Sequence, residues 1–438
     1  MNQKSISYFL IFIILDLSIL NPLIFISINT KYNTIENLDP FSSNNDSWNR
    51  TWNWGSYVSS MGLDSSNNVI LTLNSLSTFK IIKINGSGEE LWNVDYGTWS
   101  YGYDYWYSTD LTIDSQDNIY IIGFQENWWS NIRHDFLLTK YSSLGNKDWE
   151  IIWYNEYETE GFSIATDSYN NIYVGIDKID LDESFLVKYN ITGSQTWNVS
   201  FVGSHISGLV IDSIDNIYLT RYLERHEEGD RQLFLLKYNN SGALLWNQTW
   251  RSGKSDYIMD LLIDSSDNIY ITGYNLDCHD YCKWVEGRAY LLKVNSSGHL
   301  LWNKTLGDNS YWRMGMDSLE NIYLTGYDEI YPGEREDMCL AKFNSSENIE
   351  WNIFWGGKGS ERAYNIDLDS NDNIYLGGSL DNKPLLVKNP INKTVIEPLS
   401  NEFFIPFSFH FLSFTLLSII SIISVRVFKS RKKNFLFA

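Results

Sequence analysis

One phrase recurs along this chain at a nearly fixed interval, and no other feature restricts the fold as tightly. It reads DSSDNIYITG at residues 264–273, and six variants open at Asp64, Asp114, Asp167, Asp212, Asp317 and Asp369. The steps run from 45 residues, between Asp167 and Asp212, to 53, between Asp264 and Asp317. Self-similarity at such a period outweighs local propensity, because it means that one supersecondary unit is stacked repeatedly. Seven units are present.

Each unit has the same internal grammar. A short apolar run precedes the aspartate and an Ile/Val/Tyr-rich run follows the asparagine, which reads as two β-strands joined by a tight Asp/Ser/Asn turn. A second hairpin follows, as in YLLKVNSSGHLLWNKTLG at 290–307, with NSSG as its turn and Trp302 in the next strand. Four strands per unit at this period match one blade of a β-propeller. The expectation is an all-β, seven-bladed propeller.

The chain ends test ring closure, since an open ring would leave an unpaired sheet edge. The last unit stops after its third strand, PLLVK at 384–388, and lacks a Trp strand. The stretch SWNRTWNWGS at 47–56 resembles LWNKTLG at 301–307, with Trp48 in the place of Trp302. The first strand is therefore expected to complete the last blade.

The pairing of DSSDNIYITGY with LLKVNSSGHLLWN resembles the SBBP-type β-propeller repeat, a relative of the NHL and quinoprotein-like propeller repeats. The resemblance covers roughly residues 48–388 and implies the propeller fold. Such propellers host unrelated activities, so the resemblance does not assign one. The quinoprotein kinship implies a redox alternative, but those enzymes place vicinal cysteines near the quinone, and Cys278 and Cys282 are separated here.

Residues 1–29 hold a lysine followed by an apolar run interrupted by Asp16, and read as a signal peptide or an N-terminal anchor. Residues 30–46 form a linker, 47–388 the propeller and 389–402 a juxtamembrane linker. The apolar run 403–428 is long enough for a transmembrane helix, and the basic tail 429–438 places the C-terminus in the cytoplasm by the positive-inside rule. The propeller is expected outside the cell, at the membrane. Eleven Asn-x-Ser/Thr sequons fit export: Asn45, Asn49, Asn85, Asn190, Asn198, Asn239, Asn247, Asn295, Asn303, Asn344 and Asn392.

A net charge of -21 argues against nucleic acid and anionic lipid, both of which require Lys/Arg to displace counterions. Cys278 and Cys282 bracket HDY and form a candidate disulfide; Cys339 lies in a strand-core pattern.

The DSxxN and NSSG turns fall on one face and are uniform, which marks them as architecture. The variable connections fall on the other face, where binding residues sit on a rigid scaffold. Among them, Tyr103, Tyr105, Trp106, Tyr107, Trp128 and Trp129 are candidate stacking residues for a sugar ring or a protein partner. Four residues before each repeat aspartate stand Ser60, Asp110, Ser163, Gly208, Asp260, Arg313 and Asn365, read as a polar ring at the start of the inner strands and the channel mouth. Asp110, Asp260 and Arg313 are its charged members, and a cation such as calcium is conceivable there. No His-Glu-x-x-His, Gly-x-Ser-x-Gly or P-loop occurs, so no catalytic residue, metal site or cofactor is assigned. The functional expectation is a surface-displayed propeller that binds an extracellular protein or glycan. The alternative is an extracellular carbohydrate-active lyase or hydrolase, or a quinoprotein-like redox enzyme.

Overall fold

The computed structural model describes residues 47–389 apart from 76–77, 98–103, 128–132, 155–156, 203–204, 225–230, 251–254, 277–286, 308–309, 330–335 and 356–358. Within it are seven antiparallel sheets of four strands each. The inner strands are Tyr57–Leu63, Asp104–Ile113, Thr159–Thr166, His205–Ile211, Ser255–Ile263, Ser310–Met316 and Glu361–Leu368, one for each of blades one to seven. Each inner strand contacts the next, and the seventh contacts the first, so the sheets close into a ring around a channel.

Burial follows radial position. A second strand is covered on both faces by neighbouring blades, so Val69–Asn74 is buried throughout and reads as an apolar run. An outer strand such as Glu90–Tyr96 alternates half-buried and exposed residues, the period of two expected of a strand with one wet side.

The closure expected from the sequence is present. Strand Trp48–Thr51 pairs antiparallel with Lys383–Lys388, Trp48 opposite Lys388 and Thr51 opposite Leu385. Trp48 also takes the role of the other outer tryptophans. Its Nε1–H donates to Gly86 O at 3.1 Å, as Trp92 donates to Ser143 O, Trp149 to Ile191 O, Trp197 to Asn240 O and Trp246 to Ser296 O in the next blade's NSSG-type turn. The turn glycine, as at Gly242, has φ +84° and lies under the preceding blade's ring, so a side chain would be both strained and in the way.

The repeated phrase forms a second set of interblade ties. In each DSxxN turn the aspartate caps its own loop: Asp264 accepts Ser266 and Asn268 backbone N–H, the Asn268 amide and the Tyr270 hydroxyl. The following serine reaches the next blade, so Ser318 donates N–H and Oγ–H to the Asp372 carboxylate, both at 2.8 Å. The ring closes where Ser370 meets Asn67. The acceptor residue adopts a left-handed backbone, as at Asp372 (φ 59°), and Asn and Asp tolerate that conformation better than most residues.

The last glycine of the phrase has a different task. Every inner strand slips register by one residue at the same place, between Val58 and Ser60 in blade one and between Ile258 and Asp260 in blade five. Such a bulge bends the strand. Gly273 lies opposite it, and a Cβ there would stand 1.9 Å from Tyr257 O.

The strands extend further toward the variable face than the sequence suggested. Tyr105, Trp106 and Tyr107, taken as loop residues, lie in inner strand Asp104–Ile113, because the aromatic run continues the strand past the bulge. Arg221 lies in strand Ile217–Glu224 with its guanidinium stacked over Phe201 and Phe234. The proposed signal peptide, membrane span, tail and, apart from Asn389, both linker segments lie outside the described residues. Among the described residues, no helix is long and apolar enough to cross a membrane.

Candidate functional site

The seven positions of the expected polar ring do not lie at the start of the inner strands. Because the inner strands begin three to six residues earlier, Ser60, Asp110, Ser163, Gly208, Asp260, Arg313 and Asn365 lie inside the strands, just past the bulge, hence within the channel wall rather than at its mouth. Asp110, Asp260 and Arg313 come together around a cavity of about 110 Å³, with Ser163, Ser207 and Phe162 also on its wall. Gly208 contributes no side chain, and a Cβ there would meet Leu261 Cδ1 at 2.1 Å.

The carboxylates also tie blades together. Asp110 Oδ1 accepts Ser60 Oγ–H at 3.0 Å and Leu111 N–H at 2.9 Å, while Oδ2 accepts Ile164 N–H from blade three at 3.3 Å. Asp260 Oδ2 accepts Met314 N–H from blade six at 2.7 Å, and Arg313 Nη1 donates to Met259 O at 2.8 Å. Burial in the wall pushes both carboxyls up, against the opposing pull of the Arg313 charge; Asp260 reaches about 6. Asp367, deeper in the inner strand of blade seven, is pushed up to about 6 by burial against hydrogen bonds from Leu368 and Leu63. Among the described residues no group of three or more His, Cys, Asp or Glu could hold a metal ion.

Above the ring, toward the variable face, the channel has an aromatic collar. Residues seven before each repeat aspartate pair across the hairpin with residues ten after it. Tyr107 faces Phe124 with centroids 5.1 Å apart, His205 faces Tyr222 at 5.1 Å, and Tyr257 stacks on Tyr274 at 4.7 Å. Blades one, six and seven supply a denser group. Tyr364 lies edge-on to Tyr57 at 5.6 Å and to Trp312 at 6.4 Å, while Trp312 stacks on Tyr327 at 5.7 Å. Arg362 lies over Tyr327 and pairs with Glu336. Tyr57 is 38% exposed and Phe162, at the cavity, 37%.

Blade three breaks the aromatic pattern with an acidic pair, Glu160 opposite Asp177. A histidine from each neighbour meets it. His134 of blade two bonds Glu160, and His205 of blade four lies 3.1 Å from Asp177. Burial pushes His134 down, but its bond to Glu160 and the surrounding acids hold it above its ordinary value.

The sequence candidates divide accordingly. Tyr105 is half-buried in its strand. Trp106 lies edge-on to Tyr96 at 5.2 Å and packs on the core between blades one and two, so it is removed from the stacking surface. Tyr103, Trp128, Trp129, Cys278 and Cys282 lie outside the described residues. Cys339 is buried and forms no disulfide among the described residues. Asn49, Asn198, Asn247 and Asn303 are exposed on outer strands, whereas Asn85, Asn239 and Asn295 use Oδ1 to cap their own turns; Asn344 caps its turn through the Asn348 N–H. Sequence reasoning missed the collar, although its signal was present: the aromatic residue after the repeat phrase's glycine, as at Phe124, Tyr274 and Tyr327.

These titrations predict that stability rises as pH falls from 7 toward about 4 and declines below it. Asp260 and Asp367 have folded values near 6 against 3.8 unfolded, so their stabilising contribution is complete below 3.8 and is lost as pH rises through 6. His134, also raised, contributes in the same direction. The turn aspartates oppose this at lower pH. Burial pushes Asp264 up, but its Asn268 and Lys293 bonds outweigh it and hold the carboxyl low, so that contribution is lost as pH falls through its depressed value. Melting curves from pH 8 to 3 should peak in between, and Asp260→Asn should flatten the rise between pH 7 and 5. A steady fall in melting temperature from pH 7 to 5 would contradict the assignment.

Comparison with known proteins places the fold and not the activity. No protein-family model matches the chain. An uncharacterized WD repeat-containing protein of Acanthamoeba polyphaga mimivirus is 24% identical over 306 residues, covering 63% of this chain but only 18% of that protein. A polysaccharide lyase, ulvan lyase, superposes with a TM-score of 0.53 at 11% identity, covering 78% of this chain and 96% of that one. Virginiamycin B lyase from Staphylococcus aureus superposes at 0.50 with 10% identity, covering 78% and 99%. At these identities the likeness is one of fold.

Proposed function

We propose that this propeller, of the SBBP repeat type, is a membrane-anchored, surface-displayed binding module. Its ligand docks at the aromatic collar of the variable face. The observation that carries this reading is the cluster of Tyr57, Trp312, Tyr327 and Tyr364 at the end of the channel opposite the uniform turns. Aromatic faces at such a rim suit the apolar faces of sugar rings, and flanking carboxylates and Arg362 supply hydrogen bonds to hydroxyls. The acidic surroundings favour neutral or amino sugars over anionic ones. The C-terminal span 403–428 anchors the chain, the propeller lies outside the cell, and the exposed outer-strand asparagines are the accessible sequons. The net charge of -21 disfavours nucleic acid as a partner.

The test is an oligosaccharide array probed with the full chain in detergent. Neutral and amino-sugar oligomers should bind, and Trp312→Ala should weaken binding about 30-fold or more, as loss of a roughly 2 kcal/mol aromatic anchor implies. Absence of binding across the array, or binding unchanged by Trp312→Ala, would remove the collar as the site.

A second reading is favoured by one observation, the two histidine–carboxylate contacts flanking blade three beside the same channel end. In that reading the protein is a carbohydrate lyase in which one histidine takes a proton from a sugar ring carbon, the electron pair forms a C=C bond as the neighbouring C–O bond to the departing sugar breaks, and the released oxygen takes up a proton. Unsaturated sugar products, detected by ultraviolet absorbance and lost in His134→Ala and His205→Ala, would establish it over the binding reading.

A further inference from the structure

We propose that the uniform face is itself a bilayer-contact surface, in which large apolar turn tips rest in the lipid interface while the aromatic collar points away from it. This inference rests on the membrane-anchor reading of residues 403–428. The tips are Leu144 (75% exposed), Tyr169 (73%), Ile214 (72%) and Leu319 (72%). The last three occupy the same slot of the repeat phrase, two residues after the aspartate, and the serine ties between neighbouring turns hold those slots on one face. Nothing in the turn needs an apolar residue there, since Ser66, Gln116, Ser266 and Asn371 fill the slot in other blades. Just behind the tips, the outer strands of blades four and five begin with Leu244 and Leu300, also about half exposed.

The occupant follows from where the described chain ends. The third strand of blade seven runs down to this face, where Asn389 bonds the Asn373 side chain of the last DSxxN turn. The closing strand begins there too, with Trp48 on the Gly86 turn. Both flanks carry apolar runs, at 6–20 and 403–428, and the linker 389–402 can reach at most about 50 Å when fully extended. Scattered tips on separate blades make no continuous groove for a protein partner, but they suit a fluid interface that fills around each one. The lysines of this face are committed to the turn aspartates, as Lys83 is to Asp64 and Lys237 to Asp212. With a net charge of -21, the fitting lipid is zwitterionic.

The test uses the full chain reconstituted into phosphatidylcholine vesicles carrying a headgroup nitroxide. Cys278 and Cys282 are replaced by serine, buried Cys339 is left in place, and one cysteine is introduced for an environment-sensitive fluorophore. Labels in Leu319→Cys and Ile214→Cys should be quenched at least about twofold more than a label in Val202→Cys at the opposite end of its blade, as burial of tips in the headgroup region requires. Serine at Leu144 and Tyr169 should reduce that difference. Equal quenching at all three labels while the chain floats with the vesicles overturns the contact and leaves the anchor intact. A chain that does not float with vesicles removes the anchor reading, and this inference with it.

Discussion

Deleting residues 47–56 is expected to destroy cooperative folding of the propeller at physiological temperature. The deletion removes the outer strand of blade seven, the Arg50–Glu90 pair to blade one and Trp48, Trp52 and Trp54, which are half-buried on the core between those blades. Half the burial value of three large side chains, with the lost ladder and side-chain hydrogen bonds, comes to about 5 kcal/mol. That is comparable with the whole stability of many domains. The ring also opens at an unpaired strand, Lys383–Lys388, which invites edge-to-edge association. Melting followed by circular dichroism, with light scattering, should show early unfolding and aggregation. A deletion variant that melts as one cooperative transition at the parental temperature would show that the strand does not close the ring.

Gly273→Ala should be nearly as damaging, although it adds a single methyl group. The new Cβ would lie 1.9 Å from Tyr257 O and 2.5 Å from Tyr290 Oη. Tyr290 cannot swing away freely, because its hydroxyl donates to that same Tyr257 carbonyl at 2.8 Å. Backbone must move, the bulge flattens, and Asp260 leaves the cavity wall. Overpacking of this kind costs about 3 kcal/mol. Ser266→Ala, at the exposed tip of the same hairpin, should stay within ~0.5 kcal/mol. Equal melting temperatures for the two variants would mean that the repeat glycine is not held against the bulge.

Much of this architecture was legible because period and turn chemistry are local properties. The Asp/Ser/Asn turn at 264–268 and the missing outer strand after residue 388 can be read from a few adjacent letters, and both led to the observed ring. The interblade half of each motif was not legible. The Ser318 to Asp372 bond joins residues that each look like ordinary turn residues, and only the ring geometry brings them together. Trp106 misled for a related reason: an aromatic run in a polar context looks like an exposed loop, but here it continues a strand into the space beside Tyr96. The polar positions were read at the wrong depth, because the inner strands run on through residues such as Tyr105–Tyr107 that look like loop in the sequence. The collar escaped notice because Tyr257 and Tyr274 belong to different strands and become a pair only through the hairpin register.

The central claim is a division of labour between a uniform face that builds the ring and a collar that binds. It is tested most directly by measuring oligosaccharide affinity and melting temperature together for two variants, Tyr57→Ala/Trp312→Ala in the collar and Ser318→Ala in the turn ring. The first should lose about 2 kcal/mol or more of binding and keep most of its melting temperature; the second should lose about 1 kcal/mol of stability and bind as the parent does. Binding that survives in the collar variant, or disappears in the folded turn variant, would contradict the division.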